Sequence, residues 1–394
     1  MSDAAPTTKF GRWRVKRRRK LAIWLDKLGP RLLVERPALG RRFARCLAGR
    51  RPSLRVIPGW TFAREYFIEH RWMATRRGVL WRFALRNKLV VPLVLPWHAG
   101  TKVEVTLGND FSLCLYVAGS YEPNEFAFLD RTLRRGMTVI DVGANDGLYT
   151  LFAAGRVSAR GRVVAVEPSS RERRNLERNL ALSRLRNVTV VPAALAAEAG
   201  HAHLQVAPAL HSGHNTLGGF AHKGVAAIGS ELVAVETLDS LAERLSLAKV
   251  DAIKIDVEGA EMKVLTGGRE LLKTARPVVL LEANDDALRK QATSTDEMLM
   301  LLRSLDYEIF VFSDATGFVE RWIEGTPLSA NIVAMPMGVE TKVGVSPREL
   351  LRTIRRANVN PSIDCAIIMR HATSVFACAY LTLAWTLNVA TFGI

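Results

Sequence analysis

Thr138 to Thr150 reads TVIDVGANDGLYT, and this stretch narrows the fold more than any other feature of the chain. β-prone Thr138, Val139, Ile140 and Val142 run into Gly143-Ala144-Asn145-Asp146-Gly147, and an apolar helical pattern begins at Leu148. A buried strand feeding a tight glycine turn and then a helix is the opening unit of a Rossmann-like α/β fold. Small residues let the backbone approach a nucleotide-like ligand, and the new helix offers it unpaired N–H groups. The spacing is G-x-N-x-G, unlike the G-x-G-x-x-G of dinucleotide sites, and no G-x-x-x-x-G-K-[ST] occurs. Asp141, an acid at the carboxyl end of a hydrophobic strand, marks the turn as a ligand site.

The next apolar run, RVVAVEP, ends in Glu167 and Pro168. An acid at the tip of the second strand is placed to accept both hydroxyls of a ribose, since a carboxylate takes two hydrogen bonds at once. Ser169 and Glu172 read as a capping box before a helix from Ser170 to Leu182. A third strand, Asn187 to Val191, leads to Pro192-Ala193-Ala194, where small residues either leave room for a flat ring or simply pack. The fourth strand, Ala252 to Ile255, carries Lys254 and ends in Asp256 and Glu258, where ligands of open parallel sheets bind. This pair is the strongest catalytic constellation in the sequence. Val278 to Leu281 is a fifth strand ending in Glu282 and Asn284. Strands at Tyr307 to Phe312 and Asn331 to Met335 follow a helix from Asp296 to Ser304.

In order, DVGANDG, the VEPS turn, NVTVVPAAL and KIDVEGAEMKVL resemble the FkbM family of S-adenosylmethionine-dependent methyltransferases, over roughly Gly119 to Pro336. The resemblance implies an α/β fold: a Rossmann-like seven-stranded sheet with helices on both faces and an antiparallel hairpin at its edge. It implies S-adenosylmethionine as cofactor, held by Asp141, Gly143, Ala144, Asn145, Gly147, Glu167 and Pro168. Ala193 and Ala194 would wall the adenine, and Tyr121 and Glu122 would sit beside the amino-acid end. The acceptor it suggests is a hydroxyl of a sugar, glycolipid or natural product. An alcohol needs a proton acceptor within hydrogen-bond reach. Asp256 is the first choice and Glu258 the next, with His211 or His214 as loop-borne alternatives. Asp256 can equally act on the sulfonium by charge alone. A nucleic-acid methyltransferase is the alternative, although no N-P-P-Y-like block follows the fourth strand.

Charge divides the chain. The net +17 is concentrated in residues 1–90, where 24 Lys and Arg face five Asp and Glu. Six of the eight tryptophans precede residue 100, interleaved with these arginines. Such a region can be a helical cap with buried tryptophans, a contact for an anionic membrane, or a clamp on nucleic acid. Short helical patterns there include Leu21, Leu25 and Leu28, stopped by Gly29-Pro30. The pattern Ala63, Tyr66, Phe67 and His70 follows. Lys102 to Val117 alternates as a hairpin about Gly108-Asn109-Asp110.

Five of eight histidines fall between His201 and His222, in an insertion before the fourth strand. No acid or cysteine accompanies them before Glu231, so no metal is expected. His211, His214 and Asn215 are instead candidate acceptor-binding residues. Four scattered cysteines make neither a disulfide framework nor a zinc site and fit a reducing cytoplasm. Ala372 to Ile394 has no charged residue and follows a helix expected at Arg348 to Arg356. It suits a tail anchor, a surface helix or docking on the protein. The organisation expected is a basic helical region over 1–95, the methyltransferase domain over 96–336, and an extension over 337–394. The expected location is cytoplasmic, peripheral or tail-anchored at the inner membrane face. The oligomeric state is not set by these features.

Overall fold

The computed structural model describes residues 9–48, 54–60, 71–220 and 226–338. The helix expected at 348–356, the uncharged 372–394 stretch and the pattern around His70 lie outside them. The main sheet has eight strands: β1 (Thr138–Val142), β2 (Arg162–Val166), β3 (Val188–Val191), β4 (Ala252–Ile255), β5 (Val278–Glu282), β6 (Tyr307–Phe312), β7 (Val319–Arg321) and β8 (Asn331–Pro336). Their order is β7-β6-β8-β5-β4-β1-β2-β3. β1 to β5 are mutually parallel, and β8, β6 and β7 add on antiparallel. Seven strands were expected from the sequence. The eighth is β7, Val-Glu-Arg at the sheet edge, too short and polar to register as an apolar run.

The central strands are apolar almost throughout because both sheet faces are covered. Val139, Val163, Ala252 and Leu280 pack under helices Pro123–Thr132, Leu148–Val157 and Ser170–Ser183. Ile140, Val164, Ile253 and Leu281 face helices Leu238–Arg244, Glu261–Thr266, Arg269–Thr274 and Thr295–Ser304. Chain order reverses between β1 and β4, so a crevice opens at their carboxyl ends. Gly143 turns the chain there at φ +78°, and a Cβ on it would lie 1.9 Å from the Asp256 carbonyl oxygen. Only glycine lets the two loops come that close.

Several local expectations are corrected. Residues 102–117 do not form one hairpin: Lys102–Thr106 pairs with Pro92–Pro96, and 110–118 is helical. Apolar residues alternate across both segments, so the period alone does not mark the change. Pro92–Pro96 is an edge strand with proline at each end, where no ladder donor is lost; it straddles the domain boundary expected at residue 95. Helix Lys9–Glu35 runs through Gly29-Pro30 instead of stopping there. Packing of Gly29 against Leu80 and Phe43 outweighs the one donor that proline removes. The Ser169 hydroxyl donates to the Glu172 carboxylate rather than capping the backbone. After β4 the chain forms two short helices, Glu261–Thr266 and Arg269–Thr274, separated at Gly267-Gly268.

The N-terminal helices Lys9–Glu35, Pro37–Leu47 and Arg71–Arg86 are joined to the rest by buried polar contacts. Arg77, fully buried, donates to the Leu47 and Val117 carbonyls at 3.3 and 3.1 Å, and the Tyr116 hydroxyl donates to the Ala44 carbonyl at 3.0 Å. Trp97 is buried and donates to the Leu148 carbonyl at 3.0 Å, so its role is structural. Trp24 stands in solvent, 56% exposed.

Candidate active site

A cavity of about 550 Å³ occupies the crevice. β1 and β2 build one end. The Gly143 and Ala144 N–H groups both donate to the Val166 carbonyl at 3.0 Å, which folds the turn over the tip of β2. Glu167 then braces it: its Oε2 accepts from the Asn145 N–H and its Oε1 from the Ser169 N–H, each at 2.8 Å. Each oxygen keeps capacity for one more donor. Burial pushes the Glu167 carboxyl up to about 8, against the two N–H bonds that pull it down. Gly143, Ala144, Asn145, Glu167, Pro168, Ala193 and Ala194 all line the cavity, as do Tyr121 and Glu122.

Asp141 and Gly147, named with them from sequence, do not line it. Gly147 takes φ +91° to start helix Leu148–Val157. Asp141 is buried on the sheet face under that helix and accepts from the Thr150 hydroxyl at 2.5 Å. Register pairs it with Lys254 of β4. The Lys254 ammonium lies 2.9 Å from Asp256 Oδ2 and 4.8 Å from the centre of the Tyr149 ring. Burial alone would lower its pKa, but Asp256 and Asp141 outweigh burial and raise it. The lysine therefore holds its charge between two carboxylates.

The other end of the cavity is acidic. Glu122, buried, accepts from the Tyr149 hydroxyl at 2.5 Å and from Asn331 Nδ2 at 3.1 Å. Burial raises its pKa, and Glu125 and Asp256 raise it further. Glu282 and Asn284, at the end of β5, also line this part. Burial and then Asp256 raise the Glu282 pKa well above the carboxylate range, and its Oε2 is buried without a hydrogen-bond partner. Sequence reasoning noted Glu282 but did not place it in the site; its position at a strand tip was the available signal.

Asp256, Glu258, His214 and Asn215 line the same region. Glu258 adopts φ +53° and accepts, or shares a proton, at 3.1 Å with His214 Nδ1. Burial lowers the His214 pKa, but bonding and charge from Glu258 prevail and leave it raised. Asn215 is used locally, its Oδ1 accepting from the Ala207 N–H at 2.8 Å. His211 does not line the cavity and pairs instead with Asp110 Oδ2 at 2.9 Å. Among the described residues, Asp110, His211 and His214 form a group that could hold a metal ion, their donor atoms lying within 4.8 Å of one another. Asp110, a hundred residues upstream, supplies the acid that the histidine segment itself lacks.

A doubly covered sheet of this order, with its cavity at the β1/β4 reversal, defines a Rossmann-like methyltransferase fold. Residues 141–309 match the family model described as the methyltransferase FkbM domain. The chain is 28% identical over 212 residues to the AMB antimetabolite synthetase AmbE of Pseudomonas aeruginosa, covering 45% of itself and 10% of AmbE. It thus spans about a tenth of the length of that curated relative. Among solved structures it is similar to a methyltransferase FkbM from Methylobacillus flagellatus, at 14% identity and TM-score 0.33, over 69% of this chain and 56% of that one. It is also similar to an S-adenosylmethionine-dependent O-methyltransferase from Thermotoga maritima, at 14% identity and TM-score 0.33, over 62% and 77% of the two chains. Neither similarity bears on what this chain acts on.

Proposed function

We propose that this protein transfers a methyl group from S-adenosylmethionine to a hydroxyl of a sugar, glycolipid or natural product. The observation that carries the reading is one cavity joining a Glu167-braced turn to the His214–Glu258 pair. Glu167 can accept both ribose hydroxyls, Ala193 and Ala194 leave a flat apolar wall for adenine, and the unpartnered Glu282 oxygen among acids suits a cationic ligand. When bound, the cofactor supplies an electrophilic methyl on a sulfonium; the protein supplies alignment and the proton acceptor.

Asp256 and Glu258 remain the carboxylates of the reaction centre, but in different parts. Asp256 is ion-paired with Lys254, which makes it a fixed charge. The acceptor proton goes to His214: Glu258 holds Nδ1, so the ring takes the proton at Nε2. A nucleic-acid acceptor fits less well, because Asp110, Asp256 and Glu258 around this end would repel phosphates. Calorimetric titration with S-adenosylmethionine and S-adenosylhomocysteine tests the donor site, and a radiolabelled-methyl screen of hydroxyl acceptors tests the rest. No heat with either ligand would end the proposal.

The raised carboxyl pKa of Glu167 sets a pH dependence. In the empty cavity it is largely protonated below about 8, whereas two ribose donors require the ionised form. Affinity for S-adenosylhomocysteine should therefore rise about fiftyfold from pH ~6 to ~8, with net proton release. By the same sign, the folded state holds more protons than the unfolded chain across this window, so the ligand-free protein should lose stability as pH rises. Titrations in buffers of different ionisation enthalpy, with and without Glu167→Gln, check it. A flat pH dependence would contradict it.

A further inference from the structure

We infer that helix Lys9–Glu35, with the start of helix Pro37–Leu47, is a docking surface for a bilayer containing anionic lipid. Among the described residues eleven large apolar side chains are exposed, and five of them, Leu21, Ile23, Trp24, Val34 and Leu39, fall within residues 21–39. The remaining six, such as Val90 and Ile323, are scattered through the chain, as single exposed apolar residues commonly are. The cluster is also organised. At about 100° per residue, exposed Lys20, Lys27 and Arg31 form the middle of one helix face. Ile23 and Val34 flank them on one side, Trp24 and Leu21 on the other. The opposite face, Ala22, Gly29 and Leu33, is buried against the neighbouring helices. Arg36, Arg42 and Arg45 are exposed on the adjoining segment.

This pattern selects its occupant. A cationic stripe between apolar flanks suits a helix lying in the interface plane, its apolar groups in the acyl boundary and its cations at the headgroups. A nucleic acid would reward the arginines and Trp24, but Leu21, Ile23, Val34 and Leu39 gain nothing from phosphates or from aqueous base edges. Four aliphatic side chains held in water beside six cations, of which Arg31 alone is paired with an acid on this face, Glu35 at 2.8 Å, therefore favour lipid. No described helix is long and apolar enough to cross a membrane, so the contact is with the surface. Each cation near an anionic bilayer adds about fivefold in partitioning, and the apolar flanks supply the second contact that a lasting anchor needs.

The experiment is co-sedimentation of the whole chain with vesicles of phosphatidylcholine alone or mixed with phosphatidylglycerol, beside titration of a short single-stranded RNA. The chain should pellet with the mixed vesicles and at least tenfold less with the neutral ones. The triple variant Leu21→Ser, Ile23→Ser, Trp24→Ser changes exposed positions only. It should keep the parent's melting temperature while its partitioning falls by at least ~10-fold. Lys27→Gln with Arg31→Gln should remove most of the preference for anionic lipid. Failure of the whole chain to pellet, undiminished binding by the triple variant, or binding to RNA in preference to both vesicles would each overturn the inference.

Discussion

His214→Gln is expected to lower methyl-transfer turnover ~10²–10⁴-fold while leaving affinity for S-adenosylhomocysteine nearly unchanged. The ring lines the end of the cavity proposed for the acceptor, and its Nδ1 is engaged by Glu258 at 3.1 Å. A base works only when deprotonated, and Glu258 raises the His214 pKa despite burial. Turnover in the parent should therefore climb as pH rises through that value. Glu258→Gln removes the charge that raises it, so the acid limb should move to lower pH while turnover falls less than in His214→Gln. The measurement is the pH profile of both variants with a hydroxyl acceptor found by the methyl screen. Asp256→Asn provides the contrast. If it abolished turnover with cofactor binding intact, and His214→Gln left turnover normal, the proton would go to Asp256 and the histidine assignment would fail.

Glu167→Ala should weaken S-adenosylhomocysteine binding about five- to a hundredfold, the worth of two hydrogen bonds at ~1–3 kcal/mol. The side chain also accepts from the Asn145 and Ser169 N–H groups, so its loss loosens the turn as well as the ribose contact. Glu167→Gln separates the two effects. An amide has one accepting oxygen, so it can keep one backbone bond but cannot take both ribose hydroxyls. Calorimetry on variants shown by circular dichroism to be folded decides the matter. Unchanged affinity in both would remove Glu167 from the ligand site.

How far the site was legible follows from where each residue sits. Glu167, Pro168, Asp256 and Glu258 terminate apolar runs, and a strand end in a parallel sheet faces the ligand crevice whatever the rest of the chain does. Asp141 meets the same criterion but falls one position short of the tip of β1, so its side chain takes the sheet face under Thr150. Sequence shows that Lys254 is out of place in an apolar strand. Only register shows that it stands opposite Asp141. The pairs His211–Asp110 and His214–Glu258 span 101 and 44 residues, and no spacing rule relates such partners. Helix Lys9–Glu35 was missed at Pro30 because the compensating contacts, Leu80 and Phe43, are supplied by other helices.

The two ends of the cavity have different origins in the chain. The turn after β1 and the tip of β2 make the end assigned to the donor, whereas His214 and Thr216 reach the other end from the segment between strands Gly200–Val206 and Gly229–Glu236. The described residues of that segment hold no part of the eight-stranded sheet, and the two strands flanking it pair with each other. The other end is thus shared: Asp256, Glu258 and Glu282 come from the tips of the main sheet, and His214 and Thr216 from this separate segment. Exchanging the piece between those two strands would alter the molecule that receives the methyl group, and its proton acceptor, without disturbing the Glu167 brace.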